Sequence, residues 1–314
     1  MTRSARLPAY AKLNLGLRVL YKRPDGFHEL RTVFQTISLA DRLDVTYTPA
    51  RNTRIEIAGT PEIPDNLVGK AARAVLEALR VHADVRFQLK KRIPAGAGLG
   101  GGSSDAAAVL IALPVLAGKI LPSEKLHAIA TGLGSDVPFF LHGGTALGLG
   151  RGEELYPLPC QQVRHALLIA PHLHSSTAEA YQDLARRLTS IPLQNKLSSF
   201  QRDLWQEAPG TAENDFEPVV FARFPELKQI KARLVRLGAK PAALTGSGSA
   251  LFGVFSTAAQ LDRAYKLFSE KLTSRTVFPV SFLSRAQYHS AWKRALRLHI
   301  KEDNLWPPRS AHAP

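Results

Sequence analysis

Hydrophobic and polar positions alternate with a period of two in several stretches of the chain. Leu43, Val45 and Tyr47 alternate with Asp44, Thr46 and Thr48. Ile55 and Ile57 flank Glu56, and Val85, Phe87 and Leu89 alternate with Arg86, Gln88 and Lys90. Successive strand side chains point to opposite faces, so each stretch reads as a half-buried strand. Between the last two the spacing changes. Leu67, Ala71, Val75 and Ala78 form one apolar helical stripe, with Asp65 or Asn66 as its N-cap. A second helix is expected to open near Ser103 and to run until Pro114 stops it. A third follows Ser123, with Leu126 and Ala130 inward, and a short apolar segment covers 137–141.

Pro157 and Pro159 mark a boundary within 156–162, which divides the chain into units 1–160 and 161–314. Beyond it, 166–169 reads as a buried strand, and 179–205 as helical with a break at Pro192. Leu227, Ile230, Leu234 and Leu237 share one face of a helix that Gly238 ends. Residues 243–255 read as strand, glycine loop and strand, 258–272 as helix, and 277–282 as strand. The tail after Ser284 carries Arg285, Lys293, Arg294, Arg297 and Lys301 and ends in a proline-rich run expected to fray. Strands and helices mix without a strict βαβα rhythm, which predicts an α+β fold.

A chain of 314 residues can bury two full cores without disulfides or metal staples. Forty-one Lys and Arg against 26 Asp and Glu give a net charge of +15. That balance suits nucleic acid, acidic lipid or phosphorylated small molecules, and it equally suits a solvated basic surface. The basic residues are spread along the chain, with no RNP-type aromatic motif or zinc-finger spacing. The single cysteine, Cys160, excludes an intrachain disulfide and a Cys-based metal cluster and fits a reducing compartment. Lys12, Asn14 and Arg18 interrupt any signal-like apolar run, and the stretch 106–117 is too short to span a bilayer. A cytoplasmic protein is expected.

Five glycines (Gly96, Gly98, Gly100, Gly101 and Gly102) fall within PAGAGLGGGSSDAAA, residues 94–108, between a strand and an alanine-rich helix. Without a Cβ, glycine lets backbone N–H groups approach an anion, and a helix N-terminus adds its dipole. Ser103 and Ser104 supply hydroxyls for phosphate or Mg²⁺. The plainer alternative is a flexible loop with two N-cap serines. No Lys follows the glycines, which excludes a Walker A loop. Gly96, Gly98 and Gly101 satisfy G-x-G-x-x-G, but two strands and a helix precede them and no acidic strand end follows, which argues against a dinucleotide fold.

Three motifs then agree: PAYAKLNLGLRVLYKRPDGFHEL at 8–30, the glycine loop, and TGSGSALFGVF at 245–255. Together they resemble the GHMP kinase superfamily. AKLNL with DGFHEL is more particular and, with LGSDVPFFL (133–141) and NDFE (214–217), resembles the branch that phosphorylates 4-diphosphocytidyl-2-C-methyl-D-erythritol. The likeness spans about 8–283 and carries nothing over to the tail. It implies a two-domain fold, the N-terminal part similar to the second domain of ribosomal protein S5 and the C-terminal part ferredoxin-like. It implies ATP-dependent transfer to the 2-hydroxyl of that cytidine diphosphate substrate, with ATP and Mg²⁺ as cofactors. No membrane partner is expected, and a nucleic-acid partner is disfavoured. Metal ligands and oligomeric state stay open.

By the same resemblance, Asp136 is the base and Lys12 its partner. A lysine on an apolar strand is costly to bury unpaired, and a carboxylate near a helix N-terminus stays ionised. Asn14 shares the Lys12 face of the strand and is expected on the substrate. Pro94, Ala95, Gly96, Ala97, Gly98, Leu99, Gly100, Gly101, Gly102, Ser103 and Ser104 would hold ATP. Phe27 and His28, with Tyr181 by looser alignment, would read cytosine, and Thr245, Gly246, Ser247 and Gly248 would form a second cradle. Asp105 receives no catalytic role. Each has a plainer alternative: N-cap, solvent-facing lysine, packing ring, surface histidine or simple turn. Other readings are a homoserine- or mevalonate-type kinase, a basic RNA-binding protein, and a nicotinamide dehydrogenase.

Overall fold

A computed structural model describes residues 1–60, 66–160, 162–173, 177–186, 193–205, 213–272 and 276–300. The chain opens with two long antiparallel strands, β1 (Arg3–Lys22) and β2 (His28–Pro49). They are followed by β3 (Arg54–Thr60), α1 (Leu67–Leu79), β4 (Ala83–Lys90), α2 (Gly101–Ala117), α3 (Ser123–Leu133) and α4 (Val137–His142). Strands β5 (Thr145–Leu149) and β6 (Glu154–Leu158) complete a six-stranded sheet. Its order is β3-β4-β2-β5-β6, with β1 added on β2. The α1 crossover makes β3 and β4 parallel, while the other pairs are antiparallel.

The second sheet begins with β7 (Ala166–Ile169). After it come α5 (Thr177–Ala185), α6 (Leu193–Trp205), α7 (Glu217–Arg223) and α8 (Pro225–Arg236). Then follow β8 (Ala242–Leu244), β9 (Leu251–Val254), α9 (Ala258–Lys271), β10 (Val277–Val280) and α10 (Arg285–Leu296). This four-stranded sheet is antiparallel, in the order β10-β7-β9-β8. Helices and strands are mixed in both halves, and the α+β expectation holds.

The β1–β2 hairpin threads three clusters of buried side chains. Leu7, Ala9, Leu43 and Val45 join the core under the first sheet, and Leu17, Val19 and Leu30 join the core of the second. Between them Ala11, Leu13, Ile37 and Leu39 pack with Leu99, Leu168, Ala243 and Phe252. Lys12 and Asn14 therefore sit on β1 where elements of both halves meet. The pairing slips between Tyr10 and Lys12 and again between Asn14 and Gly16. Such irregularities bend a strand and re-aim its side chains.

Two local expectations are corrected. Pro114 does not end α2, which continues to Ala117 and stops at Gly118. Proline removes one hydrogen bond there, and burial of the helix from Ser104 through Leu116 outweighs that loss. The tail does not start as a bare basic segment either. Ser284 and Gln287 form a capping box, and Tyr288, Trp292 and Leu296 repeat every fourth residue. All three are buried in the first core, so α10 returns to the N-terminal half. Asn66 caps α1, while Asp65, Pro192, Lys301 and the proline-rich end lie outside the described residues. Among the described residues no helix is long and apolar enough to cross a membrane.

Candidate active site

Lys12 is almost fully buried, and its ammonium needs partners to stay there. It donates to Asn14 Oδ1 at 2.6 Å and faces Asp136 Oδ2 at 3.4 Å. The Phe34 ring lies 5.4 Å beneath it. Asn14 in turn donates from Nδ2 to Thr32 Oγ1 at 2.7 Å, and Thr32 donates to the Gly16 carbonyl. One of the two Asn14 amide hydrogens is engaged in this way. Asp136 is the N-cap residue of α4, with its side chain 32% exposed. One carboxylate oxygen is thus anchored to a buried cation in a site open to solvent.

The opposite end of α4 is clamped. Tyr288 of α10 donates its hydroxyl to the Phe140 carbonyl at 2.6 Å, and His289 Nε2 donates to the His142 carbonyl at 2.9 Å. These bonds satisfy carbonyls that a helix C-terminus leaves open.

The two glycine loops interlock. A Cβ on Gly98 would lie 2.5 Å from the Thr245 carbonyl oxygen, and one on Gly248 would collide with the Ala97 backbone. Only glycine allows this approach. Ala250 N donates to the Ala97 carbonyl, Asn14 N to Thr245 Oγ1 at 2.8 Å, and Lys12 N to the Leu99 carbonyl at 3.0 Å. Both loops are therefore fastened to the strand that carries Lys12. The first helical residue of α2 is Gly101, two earlier than expected, and Gly100 caps it with no side-chain bond. Ser103 and Ser104 lie inside the first turn and are not N-caps. The free N–H groups at this helix start, the left-handed turn before it, and the dipole make an anion cradle.

The DGFHE turn closes the β1–β2 hairpin, with Arg23 N donating to the Phe27 carbonyl at 2.7 Å. His28 stacks on Tyr181, ring centres 4.8 Å apart, and Tyr181 meets Phe216 edge-on. Burial, then nearby Lys22, pushes the His28 pKa down, which favours the neutral ring. Its Nε2 is buried without a partner. Burial raises the Tyr181 phenol, and the Asp136 carboxylate raises it further. The stack thus lies within electrostatic reach of the Lys12–Asp136 pair. Phe27 is not in the stack. It is half exposed, and the Arg151 guanidinium lies 4.6 Å from its ring centre.

Residues 66–144 match the GHMP kinases N terminal domain, and 194–272 match GHMP kinases C terminal. The chain is 54% identical to a 4-diphosphocytidyl-2-C-methyl-D-erythritol kinase from Solibacter usitatus, over 100% of this chain and 99% of that one. The chain belongs to this kinase family. It is 41% identical to the kinase of the same name from Moorella thermoacetica, over 86% of this chain and 98% of the relative. A crystal structure of 4-(cytidine 5'-diphospho)-2C-methyl-D-erythritol kinase superposes with a TM-score of 0.72 at 38% identity, covering 90% of this chain and 99% of the other. As a GHMP kinase the chain uses ATP.

Several residues that build this kinase's site carried no role in the sequence reading. Asn214, of the NDFE motif, donates to the Leu244 and Gly246 carbonyls and bridges to Leu17 of β1. It ties the second glycine loop to the hairpin. Beneath the first loop, Lys91 pairs with Asp41 and, at 2.7 Å, with Asp105. Burial raises the Asp105 pKa to about 7 against the pull of Lys91, with Asp41 adding to the rise. Lys91 is desolvated too, but the two carboxylates hold its pKa above the ordinary lysine value. A charged residue flanking a glycine loop was the signal available for Asp105 and Lys91.

Proposed function

We propose that this chain transfers the γ-phosphoryl group of ATP to the 2-hydroxyl of 4-diphosphocytidyl-2-C-methyl-D-erythritol, in the non-mevalonate route to isoprenoid precursors. The observation that carries this reading is the meeting of Lys12, Asn14 and Asp136 with two interlocked glycine loops on one strand.

In this mechanism the triphosphate lies on the amides that open α2. The substrate hydroxyl approaches Asp136, whose partly exposed carboxylate takes its proton. The 2-oxygen then bonds to the γ-phosphorus as the bond to the bridging oxygen breaks, releasing ADP. Lys12 fixes Asp136 and supplies positive charge to the transferring group, and Asn14 fixes Lys12. Mg²⁺, when bound, neutralises charge on the phosphates. Among the described residues no group of three His, Cys, Asp or Glu is arranged to hold a metal ion. Mg²⁺ would enter with the nucleotide as MgATP, which needs few protein ligands. Ser104 Oγ, buried without a partner in the first turn of α2, is the oxygen that would serve it.

Phe27, His28 and Tyr181 read the cytosine ring, by stacking and through the unsatisfied His28 Nε2. The same reading keeps the division at 160/161, with α10 returning to the first unit, and a cytoplasmic location for a chain with one cysteine. The test is purified protein with MgATP and a panel of acceptors, following ADP release. The cytidyl substrate should be preferred over methylerythritol phosphate, homoserine and mevalonate. Equal turnover of homoserine or mevalonate would overturn the assignment.

A further inference from the structure

Phe27 is an aromatic ring on an exposed hairpin turn, and the hydrogen bonds of that turn fix its backbone, not its side chain. Residues 150–152, between β5 and β6, lie against it. That loop is held by the Leu30 amide donating to the Gly150 carbonyl at 2.6 Å and the Gly152 amide to the Leu149 carbonyl at 2.9 Å. Glu153 grips Arg151 twice, accepting from its backbone N at 2.7 Å and from Nε at 3.1 Å. This grip sets the guanidinium over Phe27 at 4.6 Å, and Arg151 also acts electrostatically on Asp25 in the same turn. One face of the ring is covered by a held cation, while half of the residue remains exposed.

We infer that Arg151 is a specificity-determining residue that positions Phe27 for the cytosine ring of the acceptor. This rests on the proposed cytidine role of Phe27. A planar cation is attracted to the ring face and limits the rotamers of an otherwise free side chain. The base then meets a ring already oriented, and less freedom is lost on binding. Glu153 acts through Arg151, because it holds Nε of the guanidinium that lies over the ring.

The test compares wild type, Arg151→Ala, Arg151→Lys, Phe27→Ala and the double Arg151→Ala/Phe27→Ala. Each is assayed with the full acceptor and with methylerythritol phosphate. Arg151→Ala should raise KM for the full acceptor about 5–20-fold. Its kcat and its KM for ATP should stay within about 2-fold of wild type, and the cytidyl-free acceptor should be unaffected. Arg151→Lys keeps the charge but not the planar guanidinium and should fall between. In the Phe27→Ala background, removing Arg151 should add less than about 2-fold, because the two residues act as one unit. Losses that multiply in the double variant, or equal losses on both acceptors, would overturn the assignment. Sensitivity to Phe27→Ala with none to Arg151→Ala overturns the role of Arg151 alone. Insensitivity to both overturns the cytidine reading beneath it as well.

Discussion

The Lys12 pocket and the turn at 24–27 share one hairpin and are built in opposite ways. In the pocket each polar group is held by a neighbour from another element. Lys12 has Asn14 and Asp136, Asn14 has Thr32 and Thr245, and the first glycine loop has the second. At the turn the groups are exposed or share ion pairs near the surface, such as Arg23 with Asp25. Pairs of that kind contribute little to stability. A buried lysine must be fixed to be tolerated at all, whereas a base far from the reacting atoms can be met by ring faces on a turn. Damage to the pocket should therefore stop chemistry with every acceptor, and damage to the turn should affect one acceptor only.

The largest expected effect is on the pocket. Asp136→Asn removes the proposed proton acceptor but keeps the shape of the site. Its kcat should fall by about 10²–10⁴ or more while ATP binding survives. Turnover near wild type would remove Asp136 from the mechanism.

The proposed ATP cradle comes next, and its glycines differ in what they can report. A Cβ on Gly100 would lie 2.8 Å from the Phe140 ring, so a substitution there disturbs packing as well as phosphate. Gly102 is exposed in the first turn of α2, and a Cβ there meets only Leu67 at 3.9 Å. Gly102→Asp puts an acid where the helix dipole favours one but a triphosphate does not. The melting temperature should hold or rise while ATP affinity, read by calorimetry, falls about 100-fold. Unchanged affinity would show that the glycines serve only the turn.

Phe27→Ala should cost about 5–150-fold on the full acceptor, the range set by loss of one base stack of ~1–3 kcal/mol. ATP affinity should not change, which steady-state KM values for ATP would check.

A further comparison separates the two regions by pH. The folded Asp105 pKa, about 7, lies above the ordinary carboxylate value of 3.8. The folded state therefore keeps a proton that the unfolded state has lost. This contribution to stability is complete below about pH 4 and disappears as pH rises through 7. Asp105→Asn cannot titrate, so its stability relative to wild type should improve by ~1–3 kcal/mol between pH 5 and pH 8 in urea unfolding. The same difference at both pH values would rule out a shifted Asp105. Phe27→Ala should show no such pH dependence.

How much of this was legible in the sequence depends on whether the signal is local. The alternation at 43–47 and 85–89, the helical stripe from Leu67, and the glycine loop between strand and helix are local patterns, and each lies where it was expected. Lys12 and Asp136 carry no local mark as a pair, and the likeness to a known family was what joined them. The contact of Gly98 with Thr245 and Gly248 links segments far apart in the chain, and no spacing rule encodes it. Asn214 was visible only as part of a motif, because its work is on carbonyls of the distant second loop. For α10 the signal was present: a Ser284–Gln287 box and apolar residues at every fourth position. The density of basic residues in that segment drew the reading to charge instead.

The most direct test of the division between pocket and turn is a ratio. It is kcat/KM for the cytidyl acceptor over kcat/KM for methylerythritol phosphate, measured for wild type, Phe27→Ala and Asp136→Asn. Phe27→Ala should lower the ratio about 5–150-fold through the cytidyl acceptor alone, while Asp136→Asn should abolish turnover of both acceptors. A Phe27→Ala enzyme that loses equally on both acceptors, or an Asp136→Asn enzyme that still turns over either one at the wild-type rate, would contradict the account.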